Sequence, residues 1–329
     1  MNEFDIISKY FTPLAQYAGA ADLSDDVAEL VIPSGARVVV TTDALVEGVH
    51  FLPGDPLDTV ARKLLRVNVS DCLAKGAKPL AASLTLAWPA TRAERDLAAF
   101  AAGLDSDLAH WDVALLGGDT VSTPGPLTLS LTLHGVCGQA GPIRRSGGHA
   151  GEDLWVTGSI GDGFLGLRAA QGDLASVSAV DCARLSGVYR TPAPPELAFA
   201  AVVANFASAS VDVSDGLIAD LQHLAEASGL GATLNLSEMP VSEAAARWLA
   251  SQDENTGRLL LATGGDDYQT LFSAPPSLAA DIVSAAKAAG VAATRIGTLN
   301  AKPGVFVLDA SGMPLNVDRA GWAHFSAQS

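Results

Sequence analysis

The sequence predicts a mixed α/β protein built as two successive α/β domains, and three observations carry that expectation. The chain has 329 residues, beyond the roughly 250–300 at which single hydrophobic cores stop growing. β-Branched runs alternate with Ala/Leu-rich stretches of helical spacing through both halves. Between the halves, Arg144-Arg145-Ser146-Gly147-Gly148-His149-Ala150-Gly151 interrupts the apolar pattern with charge and glycine. The boundary is placed after Ser146, giving domains over 1–146 and 147–329.

In the first domain, the Val-rich run 36–41 reads as a buried strand and 57–74 as an amphipathic helix. A strand follows at 79–88, then a helix at 93–110 and strands at 113–116 and 127–136. The second domain opens with a strand at 153–157. Helical spacing recurs at 162–170, 195–206, 217–228, 242–250 and 278–289, and strand-like apolar runs at 210–213, 232–236, 258–262, 268–272, 293–296 and 304–308. No fixed-period repeat is visible.

Lys and Arg number 20 against 36 Asp and Glu, a formal charge of 20 − 36 = −16, so neither nucleic acid nor an anionic membrane is an expected partner. Hydrophobic residues make up 49% and charged residues 17%, which places the acidity on a folded protein rather than a disordered tail. The cysteines, Cys72, Cys137 and Cys182, are spaced for neither a disulfide framework nor a zinc site. The start, Met1-Asn2-Glu3-Phe4-Asp5, is acidic where a signal peptide is basic. A cytoplasmic protein is expected.

Many acidic residues read as solvated, but several stand beside Gly, Ser or Thr next to apolar runs: Asp43, Asp71, Asp119, Asp212, Asp215 and the pair Asp266-Asp267. Ligands of α/β sheets bind outside strand ends, which makes these candidate site positions; Asp and Gly also favour plain turns and helix caps there. Two carboxylates about 4 Å apart repel by roughly 4 kcal/mol at an effective dielectric of ~20, so converging ones call for a cation. Oxygen-only ligands select Mg²⁺, Mn²⁺ or Ca²⁺, and Mg²⁺ commonly shares its shell with phosphates. No Walker A loop, protein-kinase signature or hydrolase elbow is present; Thr157-Gly158-Ser159-Ile160-Gly161 comes nearest to the elbow but has Thr for its first Gly.

Six motifs, in order, resemble the thiamine-monophosphate kinases of the aminoimidazole ribonucleotide synthetase superfamily. They are Ser24-Asp25-Asp26, the block from Thr41-Thr42-Asp43 to His50-Phe51, Asn68-Val69-Ser70-Asp71, Gly117-Gly118-Asp119-Thr120, Asp212-Val213-Ser214-Asp215-Gly216-Leu217 and Gly264-Gly265-Asp266-Asp267-Tyr268. The resemblance implies the two-domain fold of that superfamily and a homodimer paired through the N-terminal sheets. It implies ATP- and Mg²⁺-dependent phosphorylation of thiamine monophosphate to thiamine diphosphate by direct in-line transfer, with several metal ions and no catalytic side chain.

By motif match, Asp26, Thr41, Thr42, Asp43, Asp71, Asp119, Asp212 and Asp215 are the implied metal ligands. Gly118, Asp119, Arg145 and Ser214 are the implied ATP contacts, and His50, Asp266 and Trp322 the implied substrate contacts. Taken singly, His50 fits a structural histidine, Arg145 a linker charge and Trp322 a core plug as well as a ligand contact. An acceptor that is already an ionised phosphate needs no general base, only alignment and charge neutralisation.

Two positions depart from the family pattern: Ser24 stands where Gly is usual, and Asp266 where Glu is usual. The competing readings are a paralogous ATP-using synthetase and a noncatalytic nucleotide-binding regulator. A selenophosphate synthetase is expected to carry a reactive Cys near its N-terminus, whereas the first here is Cys72, and a hydrogenase-maturation protein is expected to end in a cysteine-bearing tail, whereas this sequence ends Phe325-Ser326-Ala327-Gln328-Ser329.

Overall fold

The computed structural model describes residues 3–174 and 177–322. The sequence's final residues, including the tail weighed above, lie outside them. Two compact units result. The first runs to Cys72 and resumes over Ala77–Pro142, while the second takes Leu73–Gly76 and the chain from Ile143 onward. The break thus falls ahead of Ser146, and Arg145 lies in the second unit.

In the first unit, α1 (Glu3–Ile6) leads into short helical turns, followed by β1 (Arg37–Val46), α2 (Leu57–Ala74), β2 (Lys78–Pro89), α3 (Glu94–Trp111), β3 (Ala114–Thr123) and β4 (Thr128–Cys137). The sheet order is β1-β4-β2-β3, with only the β2–β3 pair parallel. Alternation sorts β4 cleanly. Leu129, Leu131 and Leu133 are buried on one face, and Thr128, Ser130, Thr132 and His134 are half-exposed on the other. Buried Leu64, Leu65, Phe100 and Leu104 belong to α2 and α3. The two helices are clasped by Asp107, which accepts from Arg62 (3.0 Å) and from Arg66 (2.5 Å). The opposite face of the sheet exposes Val38, Val40 and Val121, with Val40 60% exposed.

The second unit comprises β5 (Asp153–Thr157), α4 (Asp162–Gln171), α5 (Ala179–Arg190), α6 (Phe199–Phe206), β6 (Ala209–Val213), α7 (Leu217–Ala227), β7 (Gly231–Asn235), α8 (Glu243–Leu249), α9 (Glu254–Gly264), β8 (Gln269–Ala274), α10 (Ala279–Ala288), β9 (Ala293–Asn300) and β10 (Gly304–Leu308). Its sheet order is β10-β7-β9-β5-β8-β6. Both faces are covered. Leu154, Val156, Val211 and Leu271 pack with Leu221 and Leu224 of α7, while Trp155 and Phe272 pack with Phe199, Val203 and Ile282.

The expected strand at 258–262 is instead part of α9. The Asp253 carboxylate caps that helix by accepting from the Thr256 amide (3.0 Å), and Arg258 bonds Glu254 one turn earlier (2.5 Å). The helix α5 was not anticipated. β1 and β3 run past their expected ends, so Asp43 and Asp119 sit within strands rather than after them.

Candidate active site

In the first unit the pleat of β1 turns Thr41 and Asp43 to the helical side and Thr42 to the open side. Thr41 Oγ1 donates to Asp71 Oδ2 of α2 at 2.5 Å. Burial, and then the negative charge of Asp71, push the Asp43 carboxyl up from 3.8 to about 6. Thr42 is not part of this group; its hydroxyl bonds the Leu131 carbonyl (3.2 Å) and the Thr132 hydroxyl (3.0 Å) of β4.

Asp26, Gly118 and Asp119 line one cavity of about 370 Å³ together with Ser83 and His134. Gly118 is needed there because a Cβ would collide with the Leu84 carbonyl of the neighbouring strand. Ser24, the first departure from the family pattern, has φ −103° and so requires no glycine; the left-handed residues of that turn are Ala21, Asp22 and Leu23.

His50 lies in a tight turn after β1. Its Nδ1 accepts from the Val46 amide at 3.0 Å, so the neutral ring carries its proton on Nε2. Glu47 braces this turn by accepting from Arg92 (2.5 Å) and from the Leu127 amide (3.1 Å).

In the second unit three loops converge at the end of β6. Asp212 is buried in the strand. The amides of Asp266 and Tyr268 donate to the carbonyls of Ser214 (2.8 Å) and Val213 (2.7 Å), and the Trp322 amide donates to the Asp215 carbonyl (2.9 Å). Ser214, Asp215, Asp266 and Trp322 are thereby brought together. Asp266 (φ 66°) and Tyr268 (φ 53°) are both left-handed, a sparsely populated conformation outside glycine that is held here by those two amide bonds.

Asp267 turns away from this surface. Its carboxylate is buried and accepts from the Gly161 amide (2.9 Å) and the Gly163 amide (3.1 Å), while burial pushes it up to about 8 against the pull of those donors. Trp322 is exposed, with the Arg319 guanidinium 5.8 Å from its ring centroid, so the core-plug alternative fails. Arg145 is exposed, and its carbonyl accepts from Ser228 Oγ at 3.0 Å.

Sequence reading missed Asp220. Its buried carboxylate accepts from the amides of Ser214, Asp215 and Gly216. An acid four residues after Gly216, in the first turn of α7, was the available signal.

Comparison with known proteins follows this layout along the whole chain. Residues 24–137 match the AIR synthase related protein N-terminal domain, and 149–309 the corresponding C-terminal domain. A thiamine-monophosphate kinase of Caulobacter vibrioides is 42% identical over 324 residues, covering 98% of this chain and 90% of that protein. The chain belongs to the thiamine-monophosphate kinase family.

Among solved members of that family, the enzyme from Stenotrophomonas maltophilia superposes with a TM-score of 0.78 at 35% identity, over 87% of this chain and 89% of that one. AaThiL complexed with AMPPCP and TMP gives a TM-score of 0.77 at 27% identity, over 98% and 97%.

Proposed function

We propose that this protein transfers the γ-phosphoryl group of ATP to the phosphate of thiamine monophosphate, giving thiamine diphosphate. Membership of the thiamine-monophosphate kinase family over nearly the full length carries the reading, and a family member bound to AMPPCP and TMP supports both substrates. The acceptor oxygen is already ionised, so the protein's task is to align two anionic phosphates and offset their charge.

The donor set suits Mg²⁺. Asp43 and Asp71 are neighbouring carboxylates: burial first, and then the charge of Asp71, raise Asp43 to about 6. Among the described residues no three Asp, Glu, His or Cys side chains group as a ready-made cage. Mg²⁺ is typically held by one or two carboxylates, with phosphate oxygens and water completing its shell. A bound Mg²⁺ supplies the positive charge that lets the two phosphates approach.

Asp26 and Asp119 of the first unit, and Asp212 and Asp215 of the second, are likewise assigned to metal. Thr41 and Thr42 are assigned to metal as well, with Thr41 also orienting Asp71 through its hydroxyl. Gly118, Asp119, Arg145 and Ser214 are assigned to ATP. His50, through Nε2–H, and Asp266 are assigned to thiamine monophosphate, with Trp322 as a face for its cationic ring.

The working unit in this reading is a homodimer, supported by the valines exposed on the open face of the first sheet, and the setting is the cytoplasm. No helix among the described residues is long and apolar enough to cross a membrane.

Purified protein incubated with ATP, Mg²⁺ and thiamine monophosphate is expected to yield thiamine diphosphate, followed by chromatography. Failure to form it while another acceptor is phosphorylated overturns the substrate assignment.

A further inference from the structure

We infer that Asp220 is a positioning residue for this reaction: its carboxylate holds the backbone of Ser214, Asp215 and Gly216 in the form that presents the residues assigned to nucleotide, metal and thiamine. Asp220 is 2% exposed and sits in the first turn of α7. A single oxygen, Oδ2, accepts from three successive amides, those of Ser214 (3.0 Å), Asp215 (3.1 Å) and Gly216 (3.3 Å).

Successive amides pointing at one place form a concavity that ordinarily binds an anion such as phosphate. Here the protein fills that concavity with its own carboxylate. The amides of 214–216 are therefore spent, and Ser214 meets the nucleotide through its hydroxyl.

What hangs on this backbone distinguishes Asp220 from a plain helix cap. The Ser214 carbonyl holds the Asp266 amide (2.8 Å) and the Asp215 carbonyl holds the Trp322 amide (2.9 Å). Two glycines make the stack of loops close. A Cβ on Gly265 would come within 2.6 Å of the Ser214 carbonyl oxygen, and one on Gly216 within 3.0 Å of the Thr263 backbone. The 214–216 segment is thus wedged between the end of α9 and the 265–268 loop, and Asp220 Oδ2 is the acceptor that its three amides share. Releasing it frees both the nucleotide and the thiamine contacts at once.

The inference rests on the assignment of Ser214, Asp266 and Trp322 to the substrates, so the test carries its own control for that assignment. Steady-state kinetics are measured well below the unfolding temperature for Asp220→Ala, Asp220→Asn and Leu224→Ala. Leu224 is a buried core residue of the same helix and controls for lost stability alone.

Asp220→Ala is expected to raise KM for both ATP and thiamine monophosphate by about tenfold or more, because the oxygen acceptor shared by the three amides is removed. Asp220→Asn, which keeps an oxygen acceptor, is expected to stay within about threefold of the parent, and Leu224→Ala to keep both KM values while lowering Tm. If Asp220→Ala does not fold, Asp220→Glu, whose oxygens are displaced by a methylene, replaces it with the same expected rise.

Unchanged KM values in Asp220→Ala overturn the inference, as does an Asp220→Asn variant as impaired as Asp220→Ala, or a KM rise in Leu224→Ala. Asp266→Ala and Trp322→Ala are measured alongside. If neither raises KM for thiamine monophosphate, the underlying assignment fails; if they do and Asp220→Ala does not, only the role of Asp220 fails.

Discussion

Replacing Asp43 with Asn is expected to stabilise the metal-free protein while abolishing turnover. Asp43 stands at about 6 in the folded chain against 3.8 for an ordinary carboxyl, because it is half-buried and lies beside Asp71. Between those values the folded state keeps a proton that the unfolded chain has released. Stability from this group is therefore fully present below about pH 4 and is lost as pH rises through 6.

A rise from 3.8 to about 6 corresponds to roughly 3 kcal/mol as an upper bound at pH 8, or on the order of 5–10 °C in Tm for a domain of this size. Asn carries no charge and escapes the loss. The assay is thermal unfolding of both proteins in chelator across pH 4.5–8, repeated with Mg²⁺. The variant should exceed the parent at pH 8, the gap should close toward pH 4.5, and Mg²⁺ should raise Tm far more in the parent. A variant no more stable than the parent at pH 8 in chelator, or one stabilised equally by Mg²⁺, refutes the reasoning.

Trp322→Ala is expected to raise KM for thiamine monophosphate by about tenfold with little change in Tm, because the side chain is 54% exposed, and Trp322→Phe should recover much of the loss. Val40→Lys places a charge on the open face of the first sheet and should halve the solution mass measured by light scattering; an unchanged mass removes this face from the dimer interface. Gly265→Ala should cost about 1–3 kcal/mol in thermal unfolding, since the position combines φ 73° with the close Ser214 carbonyl. Gly312→Ala, at φ 82° but with nothing within 4 Å of its Cβ, should cost about 1 kcal/mol or less by backbone strain alone.

Local pattern was enough to read most elements. The helix over 57–74 and the strands over 153–157 and 304–308 match α2, β5 and β10 end to end, because long amphipathic or tightly bounded apolar stretches admit one period. Arg258-Leu259-Leu260-Leu261-Ala262 admits two, and a cap five residues upstream at Asp253 decides for helix. Asp43 and Asp119 looked like residues beyond strand ends because Thr-Thr and Gly-Gly precede them. The ladder continues through both positions, since pairing with a neighbouring strand overrides weak local propensity. The acceptor for the amides of Ser214, Asp215 and Gly216 was not legible, because Asp220 acts on backbone amides, which carry no residue type for a sequence to display.

Position 266 gives the second departure from the family pattern a physical sense. Its backbone is left-handed at φ 66°, a region where Asp is several-fold enriched and longer side chains are not. The methylene that Asp lacks relative to the usual Glu shortens its reach, and the same change eases the turn that carries it. In the proposed role of Asp266, reach toward thiamine monophosphate and backbone comfort are thus opposed. Asp266→Glu lengthens the arm and strains the left-handed turn on which it hangs, without altering its charge.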